Sequence, residues 1–353
     1  MTVLQVCAYA APYEGNFIKS LKELSKALKE KNIKMIYAFP ETAKEIPWCQ
    51  ELEKDTEVFY LPLAKARLRK STYQILKTIY KKFPDISIIH SHFELYDVPV
   101  ALTAPKDVRV FWHLHDAIQI YSSIKDRTEH KIQYGFCHKN ATLLSVSEKH
   151  MEYVISKGFP RENALIIPNG LDTDRITCVD FSEEKTFDFL IFGWEFERKG
   201  IDLCIEAMKK LNKSFSVAVV GNDQIRERIK NEYGEVENLI VLDPVSDINT
   251  LYNISGCFLH ISRAEGLSYA LLEAIYAGLP VICSDISENR FAEKFETVKM
   301  VKSENIDDIA KAMEKQLENG VLSEESIYKV REMIENEYSL SKWVKDITEQ
   351  YEV

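Results

Sequence analysis

Ser262-Arg263-Ala264-Glu265-Gly266-Leu267-Ser268-Tyr269-Ala270-Leu271-Leu272-Glu273-Ala274 follows one apolar run, residues 258–261, and precedes another, residues 281–283. The order reads as strand, turn, helix, strand. Glu265 and Gly266 make the turn, and Gly266 lets the backbone approach a ligand closely. The N–H groups of Gly266, Leu267 and Ser268 would face a phosphate there, helped by the helix dipole. Glu273, on the first turns of the helix, can accept hydrogen bonds from ribose hydroxyls. Glu265 can meet a sugar attached to that phosphate. Two carboxylates also suggest a glycosidase, but eight helical residues span about 12 Å. Glycosidase pairs sit roughly 5–9.5 Å apart across one bond.

The same alternation extends in both directions from this stretch. Strands are expected at 3–10, 33–39, 86–90, 109–114, 141–145 and 165–167, with a helix at 16–31 whose apolar positions are Phe17, Leu21, Leu24 and Leu28. The pattern then restarts. Strands at 187–193, 215–220, 239–242 and 256–261 follow, with a helix at 200–211 that carries Ile201, Cys204, Ile205 and Met208 on one face. Residues 172–185 are polar and break the pattern, as a linker would. Such βαβ repetition predicts two parallel sheets covered by helices, with a ligand at the carboxyl ends of strands in a cleft between them. The expected division is a domain at 1–178, a second at 179–335, and a helix at 336–353 that crosses back to the first.

Composition narrows the class. The chain has 353 residues, 46% hydrophobic and 28% charged, as expected of a chain that buries a core. No run approaches the ~18 apolar residues needed to span a bilayer. Seven cysteines, scattered and without a C-x-x-C, read as reduced thiols in a reducing compartment, and a cytoplasmic location is expected. Residues 1–150 hold 22 Lys+Arg against 17 Asp+Glu, whereas the remainder holds 23 against 38. An acidic second half is a poor general binder of nucleic acid, and no nucleic-acid partner is expected.

Other residues carry chemistry individually. Arg198 and Lys199 follow the expected strand 187–193 and open a helix, where a cation can neutralise charge on a departing diphosphate. Gly193 ends that strand. His113 and His115 share one strand face, as do His90 and His92 on another strand. A metal would require those pairs to meet with a third ligand. His115, at a strand's carboxyl end beside Asp116, reads as a cleft residue. Gly15 opens the first helix and can bring that loop near donor phosphate or acceptor. Residues 65–82 hold seven basic and no acidic side chains, interleaved with Leu68, Tyr73, Ile75, Leu76, Ile79 and Tyr80. Such a segment either packs its apolar face or rests on an anionic membrane surface.

These residues together resemble the family 4 retaining glycosyltransferases of the GT-B fold. That family carries a Glu-x7-Glu signature opening E-G-F-G and continuing to A-x-G-x-P-V. The chain has Glu265-Gly266-Leu267-Ser268, Glu273 and Ala277-Gly278-Leu279-Pro280-Val281. Ile167-Pro168-Asn169-Gly170-Leu171-Asp172 is similar to its P-N-G-x-D turn, and Ser145-Val146-Ser147-Glu148 to its S-x-S-E strand end. Gly193 with Lys199-Gly200 is similar to its donor phosphate loop, and His115-Asp116 to its H-D. Trp343 stands where the family often places an aromatic. Trp194 stands where an Arg commonly follows the Gly, and Arg198 is a candidate replacement. The resemblance implies a GT-B fold, two doubly wound Rossmann-like domains facing a central cleft. It implies His115, Lys199 and Glu265 as catalytic residues. Gly15, Gly193, Arg198, Gly266, Leu267, Ser268 and Glu273 would bind the donor.

The implied activity is retaining, metal-independent transfer of a sugar, without a cofactor. The donor is a nucleotide-sugar, with UDP favoured, and the acceptor a saccharide or lipid-linked saccharide of surface polysaccharide synthesis. Contact with the inner membrane face through 65–82 would fit a lipid-linked acceptor. An epimerase or hydrolase of the same fold, or a non-catalytic nucleotide-sugar-binding subunit, are the alternatives.

Overall fold

Phe187–Phe192, with the sequence FDFLIF, is apolar at nearly every position because both faces of its sheet are covered. The computed structural model describes residues 1–115, 124–182, 184–318 and 322–352. Its chain divides into two compact units, Met1–Gly170 with Leu340–Val353, and Leu171–Ser339.

The first unit holds β1 (Thr2–Cys7), β2 (Lys34–Pro40), β3 (Val58–Leu61), β4 (Ile86–His92), β5 (Arg109–Leu114), β6 (Thr142–Ser145) and β7 (Ala164–Ile166). They form one parallel sheet in the order β3-β2-β1-β4-β5-β6-β7. Successive residues feed opposite faces. Val3, Met35 and Phe111 enter one apolar cluster, and Leu4, Ile36 and Trp112 the other. Helix Gly15–Glu30 buries Phe17, Ile18, Leu21, Leu24 and Leu28, and helix Leu340–Gln350 packs in the same cluster through Trp343 and Ile347. Gly170 permits that packing, because a Cβ there would lie 2.6 Å from Cβ of Trp343.

The second unit repeats the plan with β8 (Phe187–Phe192), β9 (Val217–Val220), β10 (Leu239–Leu242), β11 (Ser255–His260), β12 (Val281–Asp285) and β13 (Val298–Lys302). Its parallel order is β10-β9-β8-β11-β12-β13. In each sheet the order reverses beside the first strand, between β1 and β4 and between β8 and β11. In sheets of this kind, loops leave that point in opposite directions, and ligands commonly bind there at the carboxyl ends of the strands.

The two doubly wound, Rossmann-like sheets agree with expectation. Two of the four outer strands, β3 and β13, were absent from the sequence reading. They are four and five residues long and partly exposed, so their apolar signal is weak. The expected helix 200–211 is Ile201–Met208. Residues 172–185 are held within the second unit, where Val179 N–H donates to the Ala277 carbonyl at 2.8 Å and Thr177 N–H to Asn249 Oδ1 at 2.9 Å.

Candidate active site

In the second unit, the turn after β11 brings three of the sequence-derived residues together. Lys199 Nζ donates to Glu265 Oε1 at 2.6 Å, and Arg198 Nη1 donates to Glu265 Oε2 at 3.0 Å. The backbone forces this meeting. Gly200 has φ +74°, and a Cβ on it would sit 2.4 Å from the Ile261 carbonyl oxygen. Only glycine lets the segment carrying Lys199 press against the end of β11. Arg263 N–H donates to the Arg198 carbonyl at 2.8 Å, which joins the two loops. Gly193 is buried just after β8, where a Cβ would lie 3.0 Å from Val219 and 3.3 Å from Ile201, so glycine there allows close packing of strand and helix.

Glu265 is 5% exposed. Burial alone would raise its carboxyl pKa, but the charges of Lys199, of His260 (protonated at the low pH where Glu265 titrates) and of Arg198 outweigh that and hold it down at about 2. Arg198 loses solvation by burial, yet Glu195 and Glu265 raise its pKa further. The turn is braced from below, where Ser284 Oγ donates to the Ser262 carbonyl at 2.6 Å and Asn289 Nδ2 donates to the Ser284 carbonyl at 3.2 Å. Sequence reasoning missed His260, whose Nε2 lies 3.8 Å from Glu265 Oε1. Burial depresses its pKa to about 4 despite Glu265, so the ring is neutral at pH 7. A histidine closing a buried apolar strand just before the Glu turn was the available signal.

Gly266, Leu267 and Ser268 lead into helix Tyr269–Tyr276 and are buried. Ser268 is its N-cap, and its Oγ accepts from Leu271 N–H at 3.4 Å. Glu273 sits one turn in. Its carboxylate accepts from the Arg175 guanidinium and from Tyr252 O–H, the latter at 3.3 Å. Neither partner was read from sequence, since Arg175 lies 98 positions away in the segment expected to be a linker. Trp194 is 48% exposed and leans toward Phe192, ring centroids 6.4 Å apart.

In the first unit, Gly15 opens helix Gly15–Glu30 at φ +60°. Tyr9 O–H donates to the carbonyl of Tyr13 at 3.1 Å and pins that loop. His115 follows β5 with both ring nitrogens engaged. Nδ1 lies 2.8 Å from Asn169 Oδ1, and Nε2 lies 2.9 Å from His92 Nδ1. Burial lowers its pKa to about 4 against the opposing effect of Asn169. Asp116 lies outside the described residues. The two histidine pairs do meet, because β4 and β5 are neighbours and His92 pairs with His113 in register. Ligand atoms of His90, His92 and His113 lie within 4.8 Å of one another. Their rings stack instead of converging, with interplanar angles of 23° for His90–His92 and 7° for His90–His113. Both nitrogens of His92 are already bonded, to His115 and to Gln5 Oε1 at 2.8 Å.

A tandem pair of Rossmann-like units, one with paired cations and a buried carboxylate at its switch point, defines a nucleotide-handling α/β protein of GT-B type. Residues 178–336 match the family described as Glycosyl transferases group 1, and residues 19–175 match Glycosyltransferase Family 4. The chain belongs to the family 4, or group 1, glycosyltransferases. It is similar to an uncharacterized glycosyltransferase of Methanocaldococcus jannaschii, 23% identical over 68% of this chain and 66% of that protein. The capsular polysaccharide biosynthesis glycosyltransferase CapH of Staphylococcus aureus is 26% identical over 68% of this chain and 71% of its own. An Escherichia coli UDP-Gal:alpha-D-GlcNAc-diphosphoundecaprenol alpha-1,3-galactosyltransferase is 27% identical over 53% of each chain. Coverage of such relatives falls as low as 27% of their length for the Escherichia coli lipopolysaccharide glucosyltransferase WaaG. Among solved structures, HepE of Anabaena with UDP and glucose superposes with a TM-score of 0.78, 14% identity, covering 100% of this chain and 99% of that one. A glycosyltransferase from Rickettsia africae also reaches 0.78, at 18% identity over 99% and 97%. At these identities the structures establish the shared fold.

Proposed function

We propose that this protein is a retaining, metal-independent glycosyltransferase that moves a sugar from a UDP-sugar to a saccharide or lipid-linked saccharide in surface polysaccharide synthesis. One observation carries the reading: Lys199 and Arg198 converge on the buried Glu265 at the switch point of the second sheet. The arrangement suits a ligand that exchanges partners with it. A diphosphate would draw the two cations from Glu265 and receive their charge. The released carboxylate would accept hydrogen bonds from hydroxyls of the attached sugar. As the bond from the anomeric carbon to the phosphate oxygen breaks, negative charge grows where the cations already stand. The acceptor oxygen bonds to the anomeric carbon from the same face and passes its proton to the leaving phosphate. Two side-chain cations supply this neutralisation, so turnover should persist in excess EDTA.

UDP is favoured by two likenesses, the HepE complexes with UDP and the galactosyltransferase that takes UDP-Gal. A lipid-linked acceptor is favoured by the latter, whose acceptor is a diphosphoundecaprenol, and a polysaccharide setting by CapH. Glu273, held by Arg175, is placed in the role of a ribose ligand. In this reading His115 contacts the donor sugar, and Gly15 lets its loop approach donor phosphate or acceptor.

No helix of the described residues is long and apolar enough to cross a membrane. Of the two readings of residues 65–82, packing holds for helix Lys70–Lys82, which buries Leu76, Ile79 and Tyr80. The loop before it differs: Leu68 is 85% exposed among Lys65, Arg69 and Lys70. This exposure supports a reading in which the loop makes peripheral contact with the cytoplasmic membrane face, and Leu68→Ala should then weaken sedimentation with anionic vesicles.

A thermal-shift panel of nucleotide-sugars tests the main reading. A donor at about 100 times its dissociation constant should stabilise the protein by roughly 2.7 kcal/mol. Rapid conversion of the responding compound with no acceptor present would overturn transfer in favour of epimerisation or hydrolysis.

A further inference from the structure

Six side chains of the first unit form one continuous hydrogen-bonded chain: Asn169, His115, His92, Gln5, Tyr351 and His90. They come from β1, β4, the ends of β5 and β7, and the residue after the last helix. All six are buried. Because each ring nitrogen of His92 and His115 has a single neighbour in the chain, the direction of donation can be worked out from one end.

Gln5 sets that direction. Its Nε2 lies 3.1 Å from Tyr351 Oη and 3.4 Å from Met35 Sδ. A carbonyl oxygen turned toward the thioether would face lone pair to lone pair, so the amide nitrogen occupies that side. Gln5 Oε1 then faces His92 Nε2 at 2.8 Å and can only accept, which requires a proton on Nε2. A neutral His92 has a bare Nδ1. The atom opposite, His115 Nε2 at 2.9 Å, must therefore donate. On the other side, Tyr351 O–H receives from Gln5 and donates to His90 Nδ1 at 2.6 Å.

We infer that His92 is a positioning residue that holds His115 as its Nε2–H tautomer, leaving Nδ1 as the hydrogen-bond acceptor whose partner can exchange. This rests on the reading of His115 as a residue of the glycosyl-transfer site. The tautomer of an imidazole is set by the bond its other nitrogen makes. Here that bond leads into the core and is anchored on Gln5. Nδ1 lies 2.8 Å from Asn169 Oδ1, and this order of protons requires a half-turn of the Asn169 amide that brings its nitrogen to Nδ1. Protonating His115 would suit the opposite turn of that amide. Burial pushes this event down to about 4, so at neutral pH the neutral order holds. A sugar hydroxyl that replaces Asn169 then meets a lone pair, not an N–H.

The test combines tautomer and turnover. Histidine 15N NMR of the ligand-free full chain at pH 7 should show His115 with a protonated Nε2 and a bare Nδ1. In His92→Phe, which keeps an aromatic ring in the stack, that single-tautomer signature should be lost. UDP-glucose turnover, read as UDP release, should fall about 10- to 100-fold in kcat. The KM for UDP-glucose should stay within about threefold. Gln5→Leu, which removes the anchor while leaving His92, should give the same tautomer change and serves if His92→Phe does not fold. A protonated Nδ1 on wild-type His115, or an unchanged tautomer and kcat in both variants, overturns the inference. His115→Ala separates the two claims. If it turns over normally, His115 does not belong to the reaction, and the NMR result alone then decides what His92 does. If it is crippled while His92→Phe and Gln5→Leu are not, the reading of the site stands and the positioning role falls.

Discussion

The Glu265 turn and the imidazole chain each close a central strand beside a switch point, yet they are built from opposite materials. After β11, a buried carboxylate forms short pairs with two cations that keep some contact with solvent. At the ends of β4 and β5, four uncharged rings stack in the buried interior. A charged set can trade an internal partner for a ligand of the same sign, whereas a neutral set fixes the donor and acceptor pattern of one ring. The first is suited to carrying charge through a reaction, the second to holding geometry.

The largest expected effect tests the charge-carrying half. Lys199→Ala removes a cation that would face the departing diphosphate, and kcat/KM should drop about 10²- to 10³-fold in steady-state assays. Lys199→Arg keeps the charge and should recover part of the loss. A change under about threefold in Lys199→Ala would mean that Arg198 alone carries the leaving group.

The next prediction separates the two regions by pH. Glu265 has its pKa depressed to about 2, so its pairing contributes stability that is complete above its unfolded value near 4.5 and is lost as pH falls toward 2. His115 is depressed to about 4, so its contribution is complete above about 6.5 and is lost as pH falls toward 4. Each loss is on the order of 3 kcal/mol. Thermal unfolding of wild type minus Glu265→Gln should therefore slope between pH 4.5 and 2. Wild type minus His115→Gln should slope between pH 6.5 and 4. Two curves falling in one shared window would remove the distinction between a charged and a neutral region.

The two regions also differ in how much of them a sequence shows. Glu265, Gly266, Ser268 and Glu273 lie within one strand–turn–helix segment, so turn chemistry and helix spacing place them without knowledge of the rest. Lys199 is 66 positions away, but a cation and a glycine opening a helix mark it locally. The histidines were legible only as two pairs, each on its own strand face. What links them is the parallel pairing of β4 with β5 and the return of the last helix, which sets Tyr351 against Gln5 across 346 positions. No local pattern encodes a contact of that range. Arg175 was hidden for the same reason, as a polar residue in a polar segment whose partner Glu273 belongs to a distant helix. The strands β3 and β13 escaped because Val58–Leu61 and Val298–Lys302 are short and half covered, and at an edge the apolar alternation has little to bury.

Gly200 gives a smaller and more structural test of the charged region. A methyl group there meets the Ile261 carbonyl at 2.4 Å from a left-handed backbone. Gly200→Ala should cost about 2 kcal/mol in denaturant unfolding. It should also weaken UDP binding, since the loop that sets Lys199 on Glu265 must back away. Loss of stability with unchanged UDP affinity would show that the cations find the diphosphate from a relaxed loop as well.

The smallest effect is expected at Trp194, which stands in the position where the family commonly has an arginine. Arg198 already supplies a guanidinium to Glu265 at 3.0 Å and is partly shielded from water. A second one in place of Trp194 would start 48% exposed, where a charge contact contributes about 0–1 kcal/mol. Trp194→Arg should therefore tighten UDP binding by no more than about fivefold by calorimetry, and the gain should vanish in high salt. A much larger, salt-resistant gain would mean that the phosphates lie under position 194 and that Arg198 serves mainly to hold Glu265 in place. The charged region would then divide its labour as the neutral one does, with one residue meeting the ligand and another positioning it.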